Sequence, residues 1–186
     1  GYLLYKFIDL TCNKIDDGFG YSHHFHIHLP WMRLSDVYLM YAEAEAEAAG
    51  SANGKATNCP LTALQAFNKI RERAGVADMA DKYSATLDGF MSELRRERAV
   101  ELAYEGHRFN DLRRWLLLDK YPYNIKTSQE FERVGTFNTT DATQNQVSGF
   151  KEKQILKRDF SEKHYWFPLK KKDTSMYKEF YQNPGW

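Results

Sequence analysis

The chain has 186 residues, with 26 Lys plus Arg against 25 Asp plus Glu and a formal net charge of +1. That length can bury one sizeable core. The near-neutral balance carries no nucleic-acid or polyanion signature, and no run of 18 apolar residues is present to form a membrane-spanning helix.

Residues 2–10 are rich in aromatic and β-branched types and read as a strand or extended segment. Asp16-Asp17-Gly18 marks a turn. From Ser22 the chain alternates, placing Ser22, His24, His26 and His28 on one strand face and His23, Phe25, Ile27 and Leu29 on the other. Imidazoles at i, i+2 and i+4 are able to reach one Zn²⁺ in principle. No carboxylate motif such as H-E-x-x-H accompanies them, so the stretch is read as a histidine-rich exposed strand or loop, and neither a metal nor any other cofactor is expected. Cys12 and Cys59 form no metal-ligand spacing and no redox motif. Free thiols and a single disulfide both remain open, with free thiols preferred.

Pro30 ends the strand. A helix is predicted from about Trp31 to Ala49, with Leu34, Tyr38, Tyr41 and Ala48 as its main stripe. Ala42, Ala44 and Ala46 would allow close approach of a neighbour. Gly50 to Asn58 is a polar loop, and Pro60 starts a second helix to about Ala74 with Ala63, Phe67, Ile70 and Ala74 on one face. Two helices joined by a short loop form a tetratricopeptide-like hairpin over 31–74, although no second copy recurs at a fixed period. Such a hairpin needs neighbours to bury its faces, and further helices at 85–105 and 107–118 would supply part of that surface.

In the first of these, Leu87, Met91, Leu94 and Leu102 recur at helical spacing, with Arg98 inside the same stripe and Glu101 and Glu105 close to it. Gly106 reads as a helix stop, after which Phe109, Leu112, Trp115 and Leu116 open a second apolar face. A guanidinium on a core stripe must be paired. The sequence therefore predicts a structural ion-pair network of Arg98, Glu101, Glu105, Arg108, Asp111 and Arg114 between two packed helices. Residues 121–150, rich in Asn, Thr, Gln, Ser and Gly, read as a long surface excursion. Lys170-Lys171-Lys172 reads as a solvated turn. The segment 164–169 and the tail aromatics Tyr177, Phe180, Tyr181 and Trp186 are expected to pack on the helices.

No nucleophile elbow, phosphate-binding glycine loop or dinucleotide fingerprint is present. Glu43, Glu45 and Glu47 point to different helix faces, and Glu101 and Glu105 have arginine partners at hand, so no pair of carboxylates is placed for glycosidic chemistry. No catalysis is expected.

The stretch Glu97-Arg98-Ala99-Val100-Glu101-Leu102-Ala103-Tyr104-Glu105-Gly106-His107-Arg108-Phe109-Asn110-Asp111-Leu112-Arg113-Arg114-Trp115 resembles the pattern E-R-x-x-E-[LF]-x-[FY]-E-G-x-R-[FW]-x-D-L-x-R-W of the SusD/RagB family of nutrient-binding outer-membrane lipoproteins. Three more segments resemble the family in the same order: Arg33–Ala44, Ala63–Gly75 and the closing Gln182-Asn183-Pro184-Gly185-Trp186. Asp36 stands where the family usually has Glu.

The resemblance implies a mainly α, SusD-like fold. It would comprise an extended lead-in (1–30), the tetratricopeptide-like hairpin (31–74), an ion-paired helix pair (85–118) and an irregular C-terminal region (119–186). All belong to one unit that is the C-terminal portion of a longer, lipid-anchored cell-surface protein. It further implies noncovalent capture of an oligosaccharide or other nutrient for a SusC-type TonB-dependent transporter. Aromatics in irregular segments are the ligand-binding candidates: Tyr21, Tyr121 and Tyr123, aided by Asn124, since sugar rings stack on aromatic faces while their hydroxyls bond amides. A helical-repeat adaptor that binds protein alone and a histidine-metal protein are the alternatives.

Overall fold

The computed structural model describes residues 6–7, 29–138 and 140–186. Of the segments read as strands over 2–10 and 21–29, residues 6–7 form a turn, with Phe7 at φ 63°, instead of a strand, Leu29 is not in a strand, and the other residues lie outside the described ones. The described chain is mostly helical, with a single two-stranded sheet. It divides into two compact units, the first ending at Arg108 and the second comprising Phe109–Trp186.

In the first unit, α1 (Leu34–Ala49) and α2 (Ala63–Ala74) form a helix hairpin. Thr62 starts α2 through a capping box: its hydroxyl accepts from Gln65 N–H while the Gln65 side chain accepts from Thr62 N–H. Gly75, at φ 70°, ends it in the left-handed conformation that glycine adopts at least cost. A single helical turn, α3 (Asp81–Ser84), leads into α4 (Leu87–Glu101), which packs on α1.

The core lies among these helices. Leu39, Ala42 and Ala46 come from α1, Ala63, Ala66, Phe67 and Ile70 from α2, and Phe90, Met91 and Leu94 from α4. Each large side chain shielded this completely contributes about 1.5–3 kcal/mol. The Phe67 and Phe90 rings meet edge to face with centroids 5.8 Å apart, tying α2 to α4.

The buried face of α1 differs from the stripe read in the sequence. Ser35, Asp36, Leu39, Ala42, Glu45 and Ala46 are buried, whereas Leu34 is 67% exposed and Ala48 faces solvent. Ala42 and Ala46 let the helices approach closely while Leu39 fills the core, and the polar members of the face are satisfied by partners rather than excluded. Tyr41 bridges to the loop before α2: its hydroxyl donates to Leu61 O at 2.7 Å and accepts from Leu61 N–H at 3.1 Å. Buried Glu45 accepts from Ala56 N–H at 2.6 Å. The Cys59 thiol and that N–H hold the Glu45 carboxyl below its ordinary range against the opposing effect of burial. Cys59 is a free thiol, and Cys12 lies outside the described residues.

Helix α4 stops at Glu101, earlier than the Gly106 stop read from the sequence. Its last carbonyls are taken by cations from elsewhere in the chain. Glu101 O accepts from Lys6 Nζ and Arg33 Nη2, each at 2.8 Å, and Ala103 O accepts from Lys6 Nζ at 3.1 Å. Gly106 lies in the turn before α5 (His107–Arg114), which is four residues shorter than expected.

In the second unit, Leu112, Leu118 and Tyr165 form a small apolar cluster, flanked by Trp115, Leu117, Tyr123 and Phe160. Phe109 and Leu116, expected on the same apolar face, are exposed. The excursion after Lys120 contains an antiparallel hairpin of β1 (Ile125–Val134) and β2 (Gln146–Lys157). Its residues are mostly exposed on both faces, so the sequence lacks the polar–apolar alternation that marks a half-buried strand. Opposite charges pair across it instead. Glu130 stands opposite Lys151 and also accepts from Lys153 Nζ at 3.3 Å.

The 3₁₀ turn Glu162–Tyr165 and the single turn α6 (Lys171–Thr174) carry the chain to its tail. Gln182 fixes that tail, accepting from Leu169 N–H at 2.7 Å and donating to Leu169 O at 2.9 Å. Tyr177 and Tyr181, expected to pack, are largely exposed.

Candidate functional site

Two polar constellations stand out, one in each unit. In the first, α4 and the turn after it present acidic residues to Arg33, just before α1, and to arginines of α2. Arg33, just before α1, uses every face of its guanidinium. Nε and Nη2 grip Glu105 at 2.8 Å each, Nη1 donates to Glu101 Oε1 at 2.8 Å, and Nη2 also reaches Glu101 O. This fork-on-fork geometry is the strong form of the ion pair. Lys6 also donates to Glu105, and Arg73 donates to both Glu101 oxygens at 2.8 and 2.9 Å. Burial pushes the Glu105 carboxyl up, but Arg33 and Lys6 outweigh it and hold the group below its ordinary range. Arg98 Nη1 donates to Asp36 Oδ1, and Arg71 Nη1 to Glu97 Oε2, each at 2.8 Å.

Of the network residues read from the sequence, Glu101 and Glu105 are thus brought together through Arg33. Asp111 is buried and accepts from Arg114 Nε at 3.0 Å within α5. Arg98 is buried beside Asp36, and Arg108 is exposed. Arg33, Arg71, Arg73 and Asp36 are members that the reading of one helix pair missed. Their signal lies in the other two helices: a basic residue just before α1, an acid in its first turn, and two arginines in the last turn of α2.

The second constellation is the turn between α5 and β1. Asp119 organises it. Its carboxylate accepts from Tyr165 O–H and from Lys120 Nζ, its carbonyl accepts from Asn124 Nδ2 at 3.1 Å, and Asn124 N–H donates to Lys120 O at 2.9 Å. Lys120, and then the Tyr165 hydroxyl, hold the Asp119 carboxyl below its usual range. Burial, and then Asp119, push the Tyr165 phenol up.

On this frame Tyr121 is 78% exposed. Tyr123 is half-buried against the apolar cluster, and Asn124 Oδ1 is shielded without a hydrogen-bond donor among the described residues. Tyr121, Tyr123 and Asn124 therefore share one turn. Tyr21, the fourth candidate, lies outside the described residues, as do His23, His24, His26 and His28. Among the described residues no group of three His, Cys, Asp or Glu side chains is placed to hold a metal ion, and no helix is long and apolar enough to cross a membrane.

The family model of the SusD family matches residues 1–186. A curated SusD-like protein of Formosa agariphila is 47% identical over 134 residues, which are 61% of this chain and 24% of that protein. The fold is similar to the crystal structure of a SusD-like protein from Bacteroides fragilis. The TM-score is 0.60 at 23% identity, over 85% of this chain and 26% of that one. The chain thus spans about a quarter of the length of each of these relatives.

Proposed function

Because the chain belongs to the SusD family, we propose that it forms part of a nutrient-capture protein that holds a glycan, or another nutrient, without covalent chemistry. The observation that carries this reading is the family match over every residue of the chain. The protein would act at the outer-membrane surface, tethered by a lipid anchor, and deliver its cargo to a SusC-type TonB-dependent transporter. Within this chain Tyr121 offers an exposed ring for stacking on a sugar face, and Tyr123 and Asn124, in the same turn, are the other proposed contacts. Tyr21 remains the fourth proposed contact.

Affinity electrophoresis of the complete protein against a panel of soluble polysaccharides tests this function. Retardation by at least one polysaccharide, weakened in Tyr121→Ala, is the expected result. A protein retarded by none, and calorimetrically silent toward their oligosaccharides, would refute capture of glycans.

The hairpin 31–74 is the proposed contact with the transporter. Leu34, Val37 and Met40 recur along one exposed strip of α1, and contiguous apolar surface of this kind marks a protein contact. Val37→Asp with Met40→Asp should abolish co-purification with the transporter, and unchanged co-purification would remove this surface from the reading.

A further inference from the structure

One cleft in the second unit carries a specificity that the turn at Tyr121 does not. Helix α5 projects Asn110, Arg113 and Arg114 on one face, at i, i+3 and i+4 spacing. Together with Leu116, Tyr165 and Trp166 they line an open cleft of about 370 Å³, within the size range of about 300–1,000 Å³ of small-ligand sites.

The two arginines are fixed differently. Arg114 donates from Nε to Asp111 Oδ1 at 3.0 Å and lies 4.5 Å over the Trp115 ring, so its charge is already answered. Arg113 donates from Nε to the neutral carbonyl of Tyr165 at 2.7 Å and lies 4.4 Å over the Phe167 ring. It pairs with no carboxylate among the described residues, and its two terminal nitrogens remain available. A planar guanidinium locked by stacking, with a free pair of parallel donors, is the side chain suited to a carboxylate or a sulfate.

Trp166 stands beside it, 56% exposed. Its backbone is fastened on both sides: its N–H donates to Lys163 O at 3.1 Å and its carbonyl accepts from Trp186 Nε1 at 3.0 Å. The same indole also borders a second cleft of about 340 Å³, with Glu162, Lys163, Pro184 and Gly185 on its far side. An exposed ring shared by two adjoining clefts suits a ligand longer than one ring that runs across it.

Resting on the capture reading above, we infer that this cleft selects acidic glycans. A sugar ring stacks on Trp166, its carboxylate or sulfate sits on Arg113, and Asn110 is at hand for a hydroxyl.

The test uses the complete protein in affinity electrophoresis with carboxylated polysaccharides (pectate, alginate), a sulfated one (carrageenan) and neutral ones (xyloglucan, laminarin). At least one acidic polysaccharide should bind and the neutral ones should not. Arg113→Gln should weaken that binding about 10- to 100-fold, the equivalent of one charged hydrogen-bond pair. Trp166→Ala should weaken it to a similar degree. Arg113→Lys keeps the charge but not the fork, and should bind in between with the unfolding temperature of the parent.

The carboxylated and sulfated arms distinguish which anion is read. Equal binding of acidic and neutral polysaccharides, or an unchanged Arg113→Gln, overturns the acidic preference and leaves glycan capture standing. Failure to bind any of them overturns both.

Discussion

Arg98 on α4 donates to Asp36 on α1 across 2.8 Å, and the two side chains keep only 4% and 5% of their exposure. Both charges are shielded from water, so protein partners hold them. Removing Asp36 takes a close partner from the buried Arg98 charge. Asp36→Ala is therefore expected to cost about 3–5 kcal/mol, measured by urea unfolding with an unchanged m-value. Replacing both by apolar residues, Asp36→Leu with Arg98→Met, should recover most of that loss. A double variant as unstable as the single one would show that the pair itself, and not the weakened compensation of a buried charge, accounts for the stability.

Arg33 and Glu105 set the acid response of the first unit. The Glu105 carboxyl is held below its ordinary value in the folded state. Its contribution is therefore fully present above the unfolded-state value near 4.5 and is lost as pH falls through the lower folded value. Arg33→Met removes the largest of the effects that lower it while burial still pushes upward. The free energy of unfolding should then fall less steeply between pH 6 and pH 3 than in the parent. It should also be lower at neutral pH, where Glu105 would keep Lys6 among the described residues but lose the Arg33 fork. Parallel slopes for parent and variant would contradict this.

How much of this was legible in the sequence follows from what each residue's signal depends on. Helix positions could be read, because Phe67, Ile70, Met91 and Leu94 recur at helical spacing and are buried. The facing of α1 could not, because its buried side includes Ser35, Asp36 and Glu45, whose burial depends on partners in other segments. Arg98 was visible as a charge in an apolar stripe, but its neighbour Asp36 is 62 residues away. Hairpin β1–β2 was hidden for a different reason: with both faces exposed, no burial pattern is imposed on its residues. At the candidate ligand turn, Tyr121 could be named from its irregular, aromatic context. The frame built by Asp119 and Tyr165 could not, since those residues are 46 apart.

The start of α2 gives a smaller and separable effect. Thr62 and Gln65 satisfy each other's backbone N–H groups. Thr62→Ala should cost about 0.5–2 kcal/mol, and Gln65→Ala less, because Gln65 answers only the Thr62 N–H. The two together should lose less than their sum, since each half of the box positions the other. Chemical denaturation of the three variants checks this, and strict additivity would argue against a reciprocal cap.

Tyr41 joins the two helices of the hairpin through one oxygen that both donates to and accepts from Leu61. Tyr41→Phe keeps the ring and strands both backbone groups, so the expected cost is about 1–3 kcal/mol. Amide hydrogen exchange at Leu61 should accelerate more than exchange in the middle of α2, because the loss is local. A uniform acceleration would instead indicate that the whole hairpin had loosened.

The tail depends on a close approach. Gly185 adopts φ 83°, and a Cβ placed there would lie 2.7 Å from Lys163 Cβ, too near for any side chain without movement. Its neighbour Trp186 donates from Nε1 to the carbonyls of Lys163 and Trp166 at 3.0 Å each, and Lys163 Nζ lies 4.7 Å over its ring. Gly185→Ala therefore has to displace either Lys163 or the indole of Trp186. Either movement frees the carbonyl of Trp166, whose side chain forms the wall between the two clefts. The variant should show faster proteolytic trimming of its last residues, with the helices of the first unit still protected. It should also show weaker retardation by whichever acidic polysaccharide the parent binds. Trimming without any loss of binding would mean that Trp166 holds its position without the tail, and would confine Gly185 to anchoring the chain end.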